Sequence, residues 1–211
     1  MMYSCKRIGA LCGIFGGILF VIITFMIMLI YPGGYSFLDN YFIELGLTVT
    51  NGQPSMADYY LFSIACTSAA VCIVLFMLSM RTVFVETRLL KYLGWLGTIL
   101  GIVAAPFLSS LALFAGNVFP YQHGWSTILF FVLYSMAIVV YSIVILLTKS
   151  YNRLYSLVGF IVAAICLLYI FWLGSAWMQK LAVYALVLWS AFQGYRLLQL
   201  YGPTKTPSSA N

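Results

Sequence analysis

Charged residues are the scarcest class in this sequence. Asp, Glu, Lys and Arg make up only 7% of the 211 residues, whereas about 25% is usual in a soluble domain. Hydrophobic residues make up 64%. A chain so poor in charge cannot cover a folded surface with polar groups, so lipid must form part of its surroundings. The shortage excludes an ordinary soluble domain and indicates an integral membrane protein.

The sequence also has few residue patterns that could bind a metal or a cofactor or act in catalysis. The single histidine, His123, cannot by itself build a three-histidine zinc site or a bis-histidine haem. The five cysteines form no C-x-x-C pair and lie outside the expected outer loops, so neither a thiolate metal site nor a disulfide framework is expected. Phosphate-binding loops, nucleophile elbows, H-E-x-x-H and dinucleotide fingerprints are missing too. We therefore expect no metal, no cofactor and no catalytic residue that can be assigned.

Long apolar runs are what the sequence has instead. A helix needs about 20 apolar residues to cross roughly 30 Å of hydrocarbon. Six stretches meet this requirement, and they predict an all-α, polytopic membrane protein with a six-transmembrane-helix bundle over residues 1–201. The predicted spans are 8–31, 59–80, 92–115, 124–147, 154–172 and 178–200. The polar tail, 202–211, is predicted to be disordered and cytoplasmic.

The distribution of basic residues predicts the orientation. With the N-terminus inside, the inner segments hold nine of the ten Lys and Arg residues, and the outer segments hold only Lys180. Positive residues favour the cytoplasmic side of short loops. Both termini are therefore predicted to be cytoplasmic, in the plasma membrane. Because the basic residues are scattered at helix ends, the net charge of +6 indicates topology and does not indicate a nucleic-acid partner.

Glycines recur at a spacing of four residues in two of the predicted helices. Small residues at this spacing let helix backbones approach closely in lipid. We expect these glycines to make contacts inside the bundle, and the alternative is a face for a homodimer. The positions are Gly9, Gly13 and Gly17 in the first helix, and Gly97 and Gly101 in the third.

The first outer loop carries an amphipathic pattern. Ser36 and Asp39 have the spacing of a capping box, and apolar residues then repeat every four positions. This pattern predicts a short interfacial helix from about Phe37 to Leu45, lying on the outer membrane surface.

The remaining polar residues gather at the outer face. Lys180 is the only basic residue there, and an ion pair with Glu44 is expected. Two readings stay open: the cluster fastens the loops over the bundle, or it lines a pocket for a lipid headgroup or a small polar ligand. The candidate ligand-binding residues are Glu44, His123, Gln179, Lys180, Asp39 and Asn40.

Short motifs in the outer segments resemble one known family. The run from Tyr31 to Ser36, followed by Asn40 and by the run from Ile43 to Gly46, is similar to a signature of the "domain of unknown function 998" membrane proteins. That family is in turn distantly similar to the eukaryotic DRAM and Frag membrane proteins. The resemblance implies six helices and a polar cluster at the outer face, and it implies no reaction.

Two further motifs extend the resemblance over most of the chain. Phe119-Pro120 with His123 looks like the family's second outer loop, and the run from Trp177 to Lys180 looks like the start of its last helix. An acid often follows the proline in that family, whereas Tyr121 follows it here. This departure puts a metal or acid–base role at the second loop in doubt.

Three functional hypotheses follow. The first is a non-enzymatic membrane protein with an outward-facing polar pocket, whose partners are membrane lipids. The second is an accessory or structural subunit that binds other membrane proteins. The third is an outer-leaflet lipid-modifying enzyme that uses His123 and a carboxylate, because a histidine beside a carboxylate can act as a general base.

Overall fold

The computed structural model describes residues 2–149 and 151–201, with side chains from Cys5 onward. In this part of the chain, six α-helices are long and apolar enough to cross a membrane. The prediction of an all-α, six-helix bundle is therefore confirmed. The predicted tail, 202–211, lies outside the described residues. The helices are α1 (Met2–Ile30), α2 (Met56–Met80), α3 (Arg88–Leu113), α4 (Pro120–Leu147), α5 (Arg153–Phe171) and α6 (Ala176–Leu200).

The helices begin earlier than the apolar runs because capping residues precede those runs. The side chain of Thr87 accepts a hydrogen bond from the backbone N–H of Leu90, so α3 starts four residues before the predicted position. Pro120 occupies the first turn of α4, where its missing N–H is not needed. Even α5, with 19 residues, is about 28 Å long at 1.5 Å per residue, enough to span a bilayer core.

The six helices form a closed ring in chain order, in which each helix packs on the next and α6 packs on α1. One end of the bundle carries a two-stranded antiparallel hairpin, β1 (Val49–Thr50) with β2 (Gln53–Pro54), and we call it the hairpin end. The opposite end carries most of the Lys and Arg residues, and we call it the basic end.

The glycines singled out in the sequence lie at contacts between helices. A Cβ added at Gly17 would lie 2.6 Å from Cγ1 of Val187 on α6, and one at Gly101 would lie 2.7 Å from Cγ of Met77 on α2. A Cβ at Gly9 would strike the backbone carbonyl of Leu75. Gly13 lies in comparable contact with Phe76, and Gly97 with Tyr141. These contacts belong to the ring itself.

A buried group of hydroxyls joins α2, α3 and α4 in the half of the bundle nearest the basic end. The hydroxyl oxygen of Tyr141 lies 2.7 Å from that of Thr98. Both hydroxyls also approach the backbone carbonyls of Met77 and Gly94, at 2.8–3.4 Å. Such hydrogen bonds satisfy polar groups that lipid could not.

The segment between α1 and α2 differs from the expectation. The short interfacial helix predicted from about Phe37 to Leu45 is wrong in extent, because the helical part is a single 3₁₀ turn at Phe42–Gly46. The side chain of Asn40 accepts from the backbone N–H of Ser36 and so closes a tight turn before it. Glu44 accepts from the N–H of Tyr41, which fixes the start of the 3₁₀ turn.

This 3₁₀ turn packs on α1, α2 and α6, and several of its residues are buried. It is therefore part of the bundle and not a separate helix lying on the membrane surface. The hairpin that follows turns through Asn51 and Gly52, both with positive φ. The Asn-Gly step is a strong sequence signal for such a turn.

Candidate functional site

Residues 35–47 cover the hairpin end of the ring, and we call them the roof segment. Gln179, at the start of α6, holds this segment in place. Its Oε1 accepts a hydrogen bond of 2.7 Å from the backbone N–H of Phe42, and its Nε2 donates to the hydroxyl of Tyr169 at 2.8 Å. Because Gln179 is only 1% exposed, the loss of either bond would leave a buried polar group without a partner. Gln179 therefore ties the roof segment to both α6 and α5.

Lys180 is the second anchor of the roof segment and is only 1% exposed. Its ammonium group donates to the backbone carbonyl of Asn40, and lies 3.5 Å from that of Ala176. Three aromatic rings surround the charge, with centroids 5.3–5.8 Å from Nζ: Tyr35, Phe37 and Phe42. Cation–π contacts at these distances are favourable and stronger where water is excluded.

The expected ion pair between Glu44 and Lys180 is not formed. Asn40 stands between them: its side chain donates to Oε2 of Glu44 at 2.6 Å, while its carbonyl accepts from Lys180. Glu44 also accepts from the Tyr31 hydroxyl at 3.3 Å. Burial, together with the neighbouring Glu44 carboxylate, raises the pKa of Tyr31 to about 12, so this phenol stays a donor at physiological pH. Glu44 and Lys180 are therefore linked through Asn40.

The other two acids of this end have contrasting surroundings. Asp39 is exposed and accepts a hydrogen bond of 2.5 Å from the Ser36 hydroxyl. Asp58, in the first turn of α2, is only 4% exposed, and its Oδ2 has no hydrogen-bond partner. No residue pattern distinguishes Asp58 from Asp39, since both flank apolar runs.

His123 lies apart from these residues. Its Nδ1 is 3.1 Å from the carbonyl oxygen of Phe114, and its ring contacts the position of Gly116. Nε2 is buried without a partner. Among the hydrogen bonds of the described residues, none joins His123 to Glu44, Gln179 or Lys180. The structure thus brings Asn40, Glu44, Gln179 and Lys180 together, leaves Asp39 at the edge and places His123 elsewhere.

An apolar cavity of about 100 Å³ lies beneath the roof segment, inside the ring. It runs from Gln179 to Ser190 along α6, about 16 Å at 1.5 Å per residue. Phe42, Ile43 and Gln179 close it at the hairpin end. No charged side chain lines it, and its walls are mainly aromatic and aliphatic, including Phe20, Phe62, Phe76, Phe130, Leu186 and Val187. The sequence pattern did not predict this cavity, because helix periodicity does not reveal gaps between helices.

The described residues contain no group of three or more His, Cys, Asp or Glu side chains placed to hold a metal ion. The polar groups of the site therefore act as hydrogen-bond donors and acceptors and as fixed charges. Their common effect is to hold the roof segment across the cavity.

Fold and site together define a multi-pass membrane protein with six apolar helices, a roofed end and an internal apolar cavity. No protein-family profile, curated protein or solved structure matches the chain.

Proposed function

We propose that this protein binds an amphiphile from the membrane and does not transform it. The hydrocarbon end lies in the cavity, and the polar end lies at the roof segment, where Asn40, Glu44 and Lys180 offer both charges and a carbonyl. The observation that carries the proposal is the position of the cavity directly beneath the roof segment. Phe42 and Ile43 of the roof segment line the cavity, and Gln179, which also lines it, holds the roof segment in place.

The size and chemistry of the cavity indicate the class of ligand. Apolar cavities in proteins stay dry and take up apolar molecules, and one of about 150 Å³ accepts benzene. A cavity of about 100 Å³ has room for the end of one hydrocarbon chain and is too small for a fused ring system. A longer chain requires the roof segment to lift, so that the chain can extend from the cavity to the polar residues above.

The arrangement of the polar residues favours binding over catalysis. A general base needs a carboxylate or nucleophile within hydrogen-bond reach, and His123 instead pairs with the backbone carbonyl of Phe114. Gln179 uses both ends of its amide on the protein itself, accepting from Phe42 and donating to Tyr169. This is the pattern of groups that hold a structure in place.

The setting in the cell is part of the same proposal. The roof segment faces outward from the plasma membrane, as the positive-inside distribution predicts, so the amphiphile comes from the outer leaflet. Membership in the "domain of unknown function 998" family stays a prediction from the motifs. An outer-face polar cluster is what that resemblance implies.

Native mass spectrometry of the protein released from a gentle detergent tests the proposal. Ala69 lines the cavity from α2, and Ala69→Leu fills it with an apolar side chain. We expect a bound amphiphile on the wild-type protein and its loss from Ala69→Leu. The matched control is Ala164→Leu, because Ala164 is exposed on the lipid-facing side of α5.

Two results would contradict the proposal. One is a wild-type protein that carries no bound amphiphile after incubation with membrane lipid extract. The other is equal retention by Ala69→Leu and Ala164→Leu, which would place the amphiphile on the outer surface of the helices.

A further inference from the structure

A groove of about 460 Å³ lies between α4 and α5 near the basic end. Its lining comes from one residue of α4 and from the first two turns of α5. These residues are Leu146, Arg153, Leu154, Ser156, Leu157 and Phe160. The three leucines are exposed, so the groove opens to the outside of the ring. It shares no lining residue with the apolar cavity inside the ring, and the two are therefore separate.

Most of the groove offers hydrocarbon and not free polar groups. Ser156 is only 1% exposed, and its hydroxyl donates to the backbone carbonyl of Ser142 at 2.7 Å. A Cβ added at Gly159 would strike the hydroxyl of Ser142, so α4 and α5 are in contact at this level. Apart from Ser156 and Arg153, the lining is leucine and phenylalanine. A hydrocarbon chain is the matching occupant, because apolar surface gains from contact with apolar groups.

The groove has a charged end and an apolar end. Arg153 is the first residue of α5, at the end of the helix that meets the membrane surface. Phe160 lies about two turns farther along the same helix, roughly 10 Å at 1.5 Å per residue. The groove therefore begins at a positive charge and continues as apolar surface into the membrane. A phospholipid has its groups in the same order, with a charged headgroup above its hydrocarbon chains.

No acid of the neighbouring helices balances the charge of this groove. The sequence contains no Asp or Glu from residue 120 to residue 211. Glu86, the acid at the basic end, belongs to the segment between α2 and α3 and does not line the groove. Arg153 is exposed, and its guanidinium has no hydrogen-bond partner among the described residues. Lys149, exposed just after α4, adds a second positive charge. An anionic headgroup is therefore complementary to this end of the groove.

We infer that this groove binds one anionic phospholipid from the leaflet that meets the basic end. The headgroup phosphate lies at Arg153, and one acyl chain lies along Leu157 and Phe160. Arginine can hold phosphate oxygens through two parallel hydrogen bonds, and basic pockets between membrane helices bind anionic headgroups. Because Ala69 lines only the cavity, Ala69→Leu keeps this site. The inference therefore stands or falls independently of amphiphile binding in the cavity.

The test is a lipid titration of the delipidated protein in gentle detergent, followed by native mass spectrometry. Phosphatidylglycerol, which is anionic, is compared with phosphatidylcholine of the same acyl chains. We expect the wild-type protein to bind phosphatidylglycerol with the lower Kd. Arg153→Gln will raise that Kd roughly fivefold, the usual contribution of one basic residue near an anionic membrane surface. The fold will persist, because a positive charge at a helix N-terminus is unfavourable and its removal does not weaken α5.

Arg88→Gln is the matched control, because Arg88 is the exposed first residue of α3 at the same end of the bundle. It does not line the groove, so this variant keeps the wild-type Kd. Leu157→Trp retains Arg153 and fills the groove with a larger side chain. It will weaken binding of phosphatidylglycerol by a comparable factor. Leu168→Trp is its control, since Leu168 is exposed on the same helix outside the groove.

Four outcomes would overturn the inference. Equal Kd values of the wild-type protein for the two lipids mean that the groove does not select an anionic headgroup. Equal Kd values of Arg153→Gln and Arg88→Gln place the headgroup elsewhere. If Leu157→Trp binds phosphatidylglycerol as Leu168→Trp does, the lipid stays at the surface charges and does not enter the groove. A dimer that Leu157→Trp disrupts while lipid binding is unchanged assigns the groove to a second copy of the chain.

Discussion

The two halves of this bundle are held together by different kinds of contact. Toward the basic end, helix backbones touch at Gly9 and Gly194, and the buried hydroxyl of Tyr141 links neighbouring helices. Toward the hairpin end, the roof segment closes the end of the cavity and is fastened by single side chains, chiefly Gln179 and Lys180. A close contact between helix backbones is lost only when the helices separate, whereas a hydrogen bond from one side chain can break by itself. We therefore expect that only the hairpin end can open without unfolding the rest of the bundle.

The largest effect is expected at the close contact of α1 with α2. Gly9→Val places branched carbons against the carbonyl of Leu75 and the Cβ of Ser79. Backbone atoms cannot move aside as flexible side chains can, so the helices must separate. We expect a loss of about 3 kcal/mol or more in stability, measured as a fall in Tm and in yield of monodisperse protein.

Gly124→Ala is the control for this prediction. Gly124 lies in α4, and nothing lies within 4 Å of a Cβ added there. Alanine is the better helix former by up to about 1 kcal/mol, so this variant will be unchanged or more stable. If Gly9→Val were as stable as Gly124→Ala, the close packing of the basic half would be disproved.

The next largest effect concerns the roof segment. Lys180→Met removes the donor to the Asn40 carbonyl and the charge among the three rings. Hydrogen bonds to charged groups contribute about 1.5–3 kcal/mol, and we expect a loss of about 2 kcal/mol. Hydrogen exchange followed by mass spectrometry will show faster exchange in residues 36–47 and little change in α2 or α3.

Lys91→Met is the matched control, because Lys91 is exposed at the basic end of α3. It removes a charge without opening the roof segment, so exchange there will stay slow. If Lys180→Met instead showed uniformly faster exchange over all six helices, the two halves would unfold together. That result would contradict independent opening of the hairpin end.

A smaller and more local effect is expected in the hairpin. Gly52 has a φ of +77°, and nothing lies within 4 Å of an added Cβ, so Gly52→Ala strains only the backbone. The left-handed region costs other residues about 1–2 kcal/mol. Faster exchange confined to residues 49–54 is the expected result. Gly174→Ala, also in an open position but without a positive φ, provides the comparison.

The smallest effect is expected from one buried hydroxyl in the basic half. Tyr141→Phe removes the oxygen shared with Thr98 and the two carbonyls. Hydrogen bonds between membrane helices average about 0.6 kcal/mol, so we expect a loss near 1 kcal/mol, spread over α2, α3 and α4. Tyr195→Phe, at an exposed site of α6, will leave Tm unchanged. A local effect in Tyr141→Phe would show that this half also opens piecewise.

The ring of helices could be predicted from the sequence because length and apolarity suffice to define a membrane span. Helix ends could not be placed as well, since caps such as Thr87 lie outside the apolar runs. Within the roof segment, the short helix predicted from about Phe37 to Leu45 differs from the structure. Its apolar spacing satisfies the helical period, but the side chains of Asn40 and Glu44 bond to nearby backbone N–H groups and select a turn and a 3₁₀ helix instead.

The candidate site was predictable in part: Asn40, Glu44, Gln179 and Lys180 lie together, whereas Asp39 and His123 do not join them. That Glu44, Gln179 and Lys180 lie near one another follows from short loops on one face of a bundle. Two features depend on the direction in which the chain turns after α1. One is the position of Asn40 between Glu44 and Lys180, and the other is the burial of Asp58. Positive φ at Gly33 and Gly34 sets that direction, and a residue pattern alone does not specify it.

The hydrogen bond between Gln179 and Phe42 limits the fraction of molecules in which the roof segment is open. If the roof lifts, the Oε1 of this buried amide loses the N–H of Phe42 and gains no replacement. An unsatisfied buried acceptor costs about 1–3 kcal/mol, and each 1.4 kcal/mol is a factor of ten in an equilibrium constant. From this bond alone, the open form would be roughly one molecule in six to one in a hundred and forty. The contacts of Lys180 favour the closed form further, so a ligand meets a roof segment that is closed in most molecules.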